Sequence, residues 1–161
     1  VLDIGCWAGL YSIKLMQEFS GVNATLCNIN SEQLSQAKLA TRITGCINKT
    51  TFISKDWRLI DKTYDVVIML SFIHYMVRDG VSFEDLERMI AKLIRPKGIL
   101  LLEIPIKGDY SLIPVDDEKL IDVFTKGSFE LVEKINMEYP SETIVRNSYI
   151  LRKNDTIKPN L

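Results

Sequence analysis

The stretch YDVVIML at 64–70, with a single acid near its start, most constrains the fold open to this chain. A run of that length and apolarity reads as a strand buried on both faces, which is characteristic of parallel sheets flanked by helices. The rest of the chain keeps the alternation this implies. Residues 1–5 read as a buried strand, Ala8 to Phe19 as a helix, NATLCNI as a strand and Asn30 to Gly45 as a helix. TTFIS is the next strand, SFEDLERMIAKLIRP the clearest helix, and ILLLEIP the strand that follows. Strands regularly separated by helices predict an α/β fold with a mostly parallel sheet.

Local signals set the expected helix faces and ends. In the first helix Leu10, Ile13 and Met16 are expected to share the apolar face. In the second, Asn30 and Gln33 have the spacing of a capping box, Leu34, Ala37 and Ile43 carry the apolar positions, and Gly45 ends the helix in the left-handed conformation. Ser82 and Asp85 cap the third, whose Leu86, Met89, Ile90, Leu93 and Ile94 repeat at helical spacing until Pro96 and Gly98 close it. After Pro105, DDEKLIDVFTKG predicts a short capped helix. FELVEKINM and TIVRNSYILRK then predict two antiparallel strands turning at Pro140–Ser141. The segment from Asn154 onward reads as a polar tail.

Composition narrows the function classes. A chain of 161 residues is one domain's worth, and a net charge of −1 offers no general attraction to nucleic acid or anionic lipid. Cys6, Cys27 and Cys46 are odd in number, lack metal-ligand spacing and have one histidine to complement them, so they are expected to be reduced thiols of a cytoplasmic-type protein with no metal. No apolar run approaches the ~20 residues needed to cross a bilayer, and no signal peptide is visible. Because Val1 reads as lying within a strand, a longer parent chain is expected.

The opening VLDIGCWAGL joins a strand to a helix through a glycine-bearing turn, as nucleotide-type cofactor sites begin. Dinucleotide sites need G-x-G-x-x-G so that backbone can approach a pyrophosphate, and here Trp7 and Leu10 follow Gly5 at the other two positions. A bulky indole at the close-approach position argues against NAD-type binding. The pattern Asp3, Gly5, Cys6, Gly9 instead resembles the first motif of the class I S-adenosylmethionine (SAM)-dependent methyltransferases, V-L-D-x-G-C-x-x-G. NINSEQLSQAK resembles that family's second strand end and helix, SKDW its third-strand acid, YDVVIMLSFIHYM its fourth strand, and MIAKLIRPKGILLLEIP the segment running into its fifth.

The resemblance implies a Rossmann-like, mostly parallel seven-stranded sheet with helices on both faces and an antiparallel C-terminal strand pair. It assigns 1–153 to a methyltransferase domain lacking part of its N-terminus, and 154–161 to the tail. It implies SAM as cofactor, with Asp3, Gly5, Cys6, Gly9, Asn28, Asp56, Trp57 and Ser71 around it. Asn28 departs from the pattern, since an Asp or Glu there usually accepts from both ribose hydroxyls. An amide offers one acceptor and one donor group, and the loss of charge-assisted character is worth about 1 kcal/mol. Asp56 resembles the residue that accepts from the adenine amino group. Trp57 reads either as a surface for the adenine ring or as a core tryptophan, and Trp7 either as a cover for the methionine portion or as a surface residue of the turn.

Methyl transfer from a sulfonium needs alignment more than a catalytic array, with a base required only for acceptors that lose a proton. His74, at the expected end of the fourth strand, has the pKa for that base, with packing in the following helix as the competing reading. Sequence signatures of nucleobase amino, pyrimidine-carbon and ribose methylators are missing. The expected acceptor is a small molecule or a nucleotide-containing one, RNA included. Arg146, Arg152 and Lys153 read either as a contact for an anionic substrate or as charged guards on an edge strand. A domain of the same fold that only binds or regulates is the competing function.

Overall fold

The apolar runs form strands and the periodic segments form helices in the computed structural model, which describes residues 1–107, 115–138 and 145–155. The chain divides into two compact units, Val1–Lys62 and Thr63–Leu161. In the first, β1 (Leu2–Ile4), β2 (Ala24–Cys27) and β3 (Thr50–Ile53) pair in parallel in the order β3-β2-β1. Leu2 pairs with Thr25 and Ile4 with Cys27, so the two strands end at the same level.

Helices α1 (Leu10–Glu18) and α2 (Ser31–Ile43) complete this unit. Ile13 and Met16 of α1 join Leu34 and Ala37 of α2 around Leu26 and Ala24 of β2, in one apolar cluster. Two expected core positions lie outside it. Leu10 is 59% exposed and Ile43 is 78% exposed. Leu10 opens its helix, before the first full turn reaches the strand. In α2 the inward stripe runs 34, 37, 41, and Thr41 is buried where the apolar pattern favoured Ile43. Gly45 does take the left-handed conformation, at φ 73°.

The second unit has strand order β4-β5-β7-β6, with β4 (Tyr64–Leu70) parallel to β5 (Ile94–Lys107) and β7 (Val145–Lys153) antiparallel to both β5 and β6 (Phe129–Glu138). The two units together carry the seven strands of a mixed, Rossmann-like sheet. The Pro140–Ser141 turn and the end of the tail lie outside the described residues. Helix α3 (Ile73–Arg78) follows β4, α4 (Phe83–Lys92) precedes β5, and α5 (Asp117–Lys126) precedes β6. Ser82 caps α4 by accepting the Asp85 N–H, and Asp116 caps α5 by accepting that of Lys119. Glu87, buried on α4, accepts the Ser128 N–H at 2.8 Å and so ties α4 to the turn after α5.

Pro96 and Gly98 do not lie beyond a helix end, as the sequence suggested. They lie inside β5, where the register jumps from Tyr64–Ile94 to Val66–Ile99 and the intervening residues bulge out. Proline is tolerated at such a point because no ladder hydrogen bond is asked of it. Lys97 takes φ 63° there, and Gly98 sits against backbone. A β-carbon on Gly98 would meet the Arg95 and Asp65 carbonyl oxygens, each at 2.9 Å, and Ile94 Cγ2 at 2.7 Å. Backbone at two sides cannot give way as a side chain can. Gly98→Ala is therefore expected to destabilise the protein by about 1–3 kcal/mol, the usual range for overpacking, as read from urea denaturation. An unchanged midpoint would show that the bulge relaxes freely.

Candidate cofactor site

At the end of β1 the chain must leave the sheet and enter α1 within a few residues. It does so through alternate left-handed positions, with Gly5 at φ 70°, Trp7 at 44° and Gly9 at 73°. Gly9 closes the turn by donating to the Cys6 carbonyl at 2.7 Å, and its own carbonyl accepts the Ile13 N–H at 2.9 Å to start the helix. No side chain caps α1. Its first-turn amides thus have no partner within the helix. Gly9 also lets helix and strand approach closely, since a β-carbon there would stand 2.8 Å from Leu26 Cδ1.

Trp7 occupies the left-handed position with a full side chain, a conformation costing roughly 1–2 kcal/mol for an L-residue. Its indole is 65% exposed and donates to Gln36 Oε1 at 3.3 Å. Of the two readings available from sequence, the indole as a surface residue of the turn agrees with this exposure.

Asp3 lies under the loop at 5% exposure, with its Oδ2 accepting from the Ser12 hydroxyl at 2.8 Å. Burial pushes its pKa up to about 6 despite that hydrogen bond. Cys6 and Cys27 flank it as free, buried thiols, pushed up to about 12 and about 11, chiefly by burial. The Cys27 carbonyl accepts both the Gly5 and Cys6 amides, at 2.9 and 3.3 Å. That places the loop after β1 beside the end of β2, where Asn28 follows.

Asn28 is buried and each end of its amide makes one hydrogen bond. Oδ1 accepts the Asn30 N–H at 2.9 Å and Nδ2 donates to Gln33 Oε1 at 2.9 Å. Asn30 in turn caps α2, accepting from Glu32 and Gln33 amides. Asp56 caps the single-turn helix Trp57–Leu59, accepts the Arg58 N–H at 2.9 Å and is forked by the Arg58 guanidinium. That side-chain pairing holds the Asp56 carboxyl below its ordinary pKa. Trp57 is 4% exposed, so its ring belongs to the core and presents no open face to a base.

Ser71 and His74 belong to the second unit. Ser71 takes φ 50° at the end of β4, and its hydroxyl donates to Glu103 and accepts from Arg146. Arg146 Nη1 also reaches Glu103 Oε1 at 2.8 Å, completing a partly buried cluster around the buried Glu103, an acid that sequence reasoning missed. The one signal for it was an acid in the otherwise apolar run ILLLEIP. His74 is buried on α3 at 2% exposure, with its ring 4.0 Å from that of Tyr75. That burial agrees with the reading of His74 as packed in the helix after β4.

The expected basic grouping on the last strand is also corrected. Arg146 pairs with Glu103, Arg152 with Glu130 at 3.0 Å, and Lys153 donates to the Ala91 and Ile94 carbonyls, both at 2.7 Å. Each cation is engaged separately, and β7 lies between β5 and β6, so it is not an edge strand. Among the described residues no group of three or more His, Cys, Asp or Glu could hold a metal ion, and no helix is long and apolar enough to cross a membrane.

Comparison with known proteins agrees with the loop. The profile of the family described as "Methyltransferase domain" matches residues 2–100, and the chain belongs to that family, the class I SAM-dependent methyltransferases. No curated protein sequence matches it. Solved structures share the fold at low identity. A SAM-dependent methyltransferase from Methanosarcina mazei superposes with a TM-score of 0.76 at 19% identity, over 95% of this chain and 91% of its own. Magnesium protoporphyrin IX methyltransferase from Synechocystis PCC 6803, solved with S-adenosylhomocysteine (SAH) bound, gives 0.77 at 16%, over 95% and 73%. The cyclase SpnF gives 0.76 at 15%, over 96% and 75%.

Two measurements test this geometry. Asp3 has its folded pKa, about 6, above the ordinary aspartate value of 3.8, so between those pH values the folded state holds the extra proton. Stability then falls as pH rises through this window and levels off above it, by up to ~3 kcal/mol at 1.36 kcal/mol per pKa unit. Asp3→Asn removes the titration. Its urea midpoint is expected to match the wild type near pH 4 and exceed it at pH 8; parallel pH profiles would refute the buried-carboxylate assignment. His74→Ala is expected to lose ~2–4 kcal/mol, as buried large-to-small changes do, with SAH affinity retained. A loss below ~0.5 kcal/mol, typical of surface positions, would take His74 out of the core.

Proposed function

We propose that the first unit holds SAM along its 5–9 loop, and that the protein transfers the methyl group to a small-molecule acceptor. The observation that carries this reading is the loop itself, left-handed at Gly5, Trp7 and Gly9 and wrapped over a buried carboxylate that costs the fold stability. A fold has no structural need to keep an ionisable group there, whereas a cationic, polar ligand gives it one.

The residues fit the cofactor. Gly5, Cys6 and Gly9 would bring backbone amides to the methionine portion, with Asp3 behind them as the negative group. Asn28 would meet the ribose hydroxyls through one acceptor and one donor. Asp56, kept ionised by Arg58, would accept from the adenine amino group, with Trp57 supporting it from the core. When bound, SAM supplies a methyl group already activated on a sulfonium, so the protein's part is to hold, align and exclude water. Ser71 belongs in this account through the Glu103–Arg146 cluster that fixes it rather than as a free hydroxyl. The names of relatives such as the magnesium protoporphyrin IX methyltransferase support a small-molecule acceptor.

Asn28 favours a second reading, a domain of this fold that binds or regulates without transferring methyl groups. SpnF, named as a cyclase, supports the general possibility that this fold serves other ends. Isothermal titration with SAM and SAH, with NADH as control, separates the outcomes. Micromolar binding of SAH and no response to NADH are expected. No heat with either sulfur compound, from protein shown to be folded, would refute the cofactor assignment.

A further inference from the structure

Three amide side chains close a ring at the end of β2. Asn28 Oδ1 accepts the Asn30 N–H, Asn30 Oδ1 accepts the Gln33 N–H at 3.1 Å, and Gln33 Oε1 accepts from Asn28 Nδ2. The orientations follow from chemistry. A backbone N–H can only donate, so the atom of Asn28 facing Asn30 must be oxygen, which leaves Nδ2 toward Gln33. Nδ2 can also only donate, so Gln33 must present its oxygen. At 8% exposure Asn28 has little water to satisfy it if the amide turns, and turning would set donor against donor and acceptor against acceptor.

We infer that Gln33 is a positioning residue that lets Asn28 serve in place of a carboxylate. This rests on the proposed reading of Asn28 as a ribose ligand. A carboxylate offers two equivalent oxygens, so a flip of its plane changes nothing for a vicinal diol. An amide is different at its two ends. It serves a diol in one orientation only, with one hydroxyl donating to Oδ1 and the other accepting from Nδ2. The Asn30 amide fixes the oxygen end and Gln33 fixes the nitrogen end, so the second lone pair of Oδ1 and the second hydrogen of Nδ2 are offered in one fixed order. Gln33 sits in the first turn of α2, where its side chain would otherwise reach back to the Asn30 N–H to complete a capping box. That N–H is already taken by Asn28, and Gln33 turns to Asn28 instead.

The test compares SAH with its 2′-deoxy analogue by isothermal titration across single and double variants, with circular dichroism melts confirming that each is folded. Gln33→Leu is expected to weaken SAH binding roughly tenfold, the equivalent of about 1.4 kcal/mol. It should also shrink the preference for SAH over the deoxy analogue. Gln33→Glu keeps an acceptor for Asn28 Nδ2 and is expected to retain near-wild-type values of both. In the N28D background, where no orientation remains to be fixed, Q33L is expected to change affinity by less than about twofold. An equal loss from Q33L in both backgrounds, or wild-type affinity for Q33L alone, would overturn the inference. Unchanged SAH affinity in Asn28→Ala would instead overturn the ribose reading beneath it, so the two failures are distinguishable.

Discussion

The first unit depends on one carbonyl. Cys27 accepts the amides of both Gly5 and Cys6, so the last residue of β2 holds the first two residues beyond β1. The Gly5 bond continues the parallel ladder by one step, and the Cys6 bond is the point where the chain turns off the sheet. Because β1 and β2 end in register, this single acceptor sets the 5–9 loop next to the 28–30 turn. Gly5 and Asn28 therefore lie just outside the carboxyl ends of parallel strands, with Asp3 of β1 beneath the loop, where open α/β sheets present their ligand sites.

Unfavourable features concentrate in the same place. Trp7 holds a left-handed backbone with a bulky side chain, Asp3 keeps a carboxyl where burial opposes its charge, and Asn28 spends both ends of its amide on neighbours. In the second unit Ser71 repeats the theme, left-handed at the end of β4 and tied to a partly buried ion pair. Strain and buried charge of this kind persist where the surroundings over-determine them, and they gather at sites that bind or react. The remainder of each unit is ordinary by contrast, with side-chain caps on α2, α4 and α5 and interiors made mostly of Leu and Ile.

The strands were legible because buried parallel strands are long apolar runs, as 64–70 and 99–105 are but for Asp65 and Glu103. Helix ends were legible wherever a side chain made the cap, at Asn30, Ser82 and Asp116. What failed were features that depend on a partner distant in sequence. Leu10 and Ile43 fit the periodicity and still face solvent, because periodicity does not tell where a strand ends beneath a helix. Pro96 looked like a helix terminator because a bulge against β4 is invisible from local sequence. Glu103 and Arg146 are far apart in the chain and meet through the β5–β7 pairing. The Asn30–Gln33 spacing was read correctly as a cap, but not where the Gln33 side chain goes, since that depends on the prior claim Asn28 makes on the Asn30 amide.

The same distinction explains why the donor is readable and the acceptor is not. The elements proposed to hold SAM lie within the first 62 residues, in a loop, a strand end and a cap whose motifs are local. Methyl transfer adds little to that list, because the activated group arrives on the cofactor and the protein contributes alignment. Alignment comes from the shape of the acceptor pocket, which leaves no short signature. SpnF makes the point from outside: at a TM-score of 0.76 it shares this fold and carries the name of a cyclase. On the proposed reading, the fold and its loop specify what is bound at the ends of β1 and β2. The reaction is specified by whatever is held against that ligand, and this is the part of the molecule that sequence patterns constrain least.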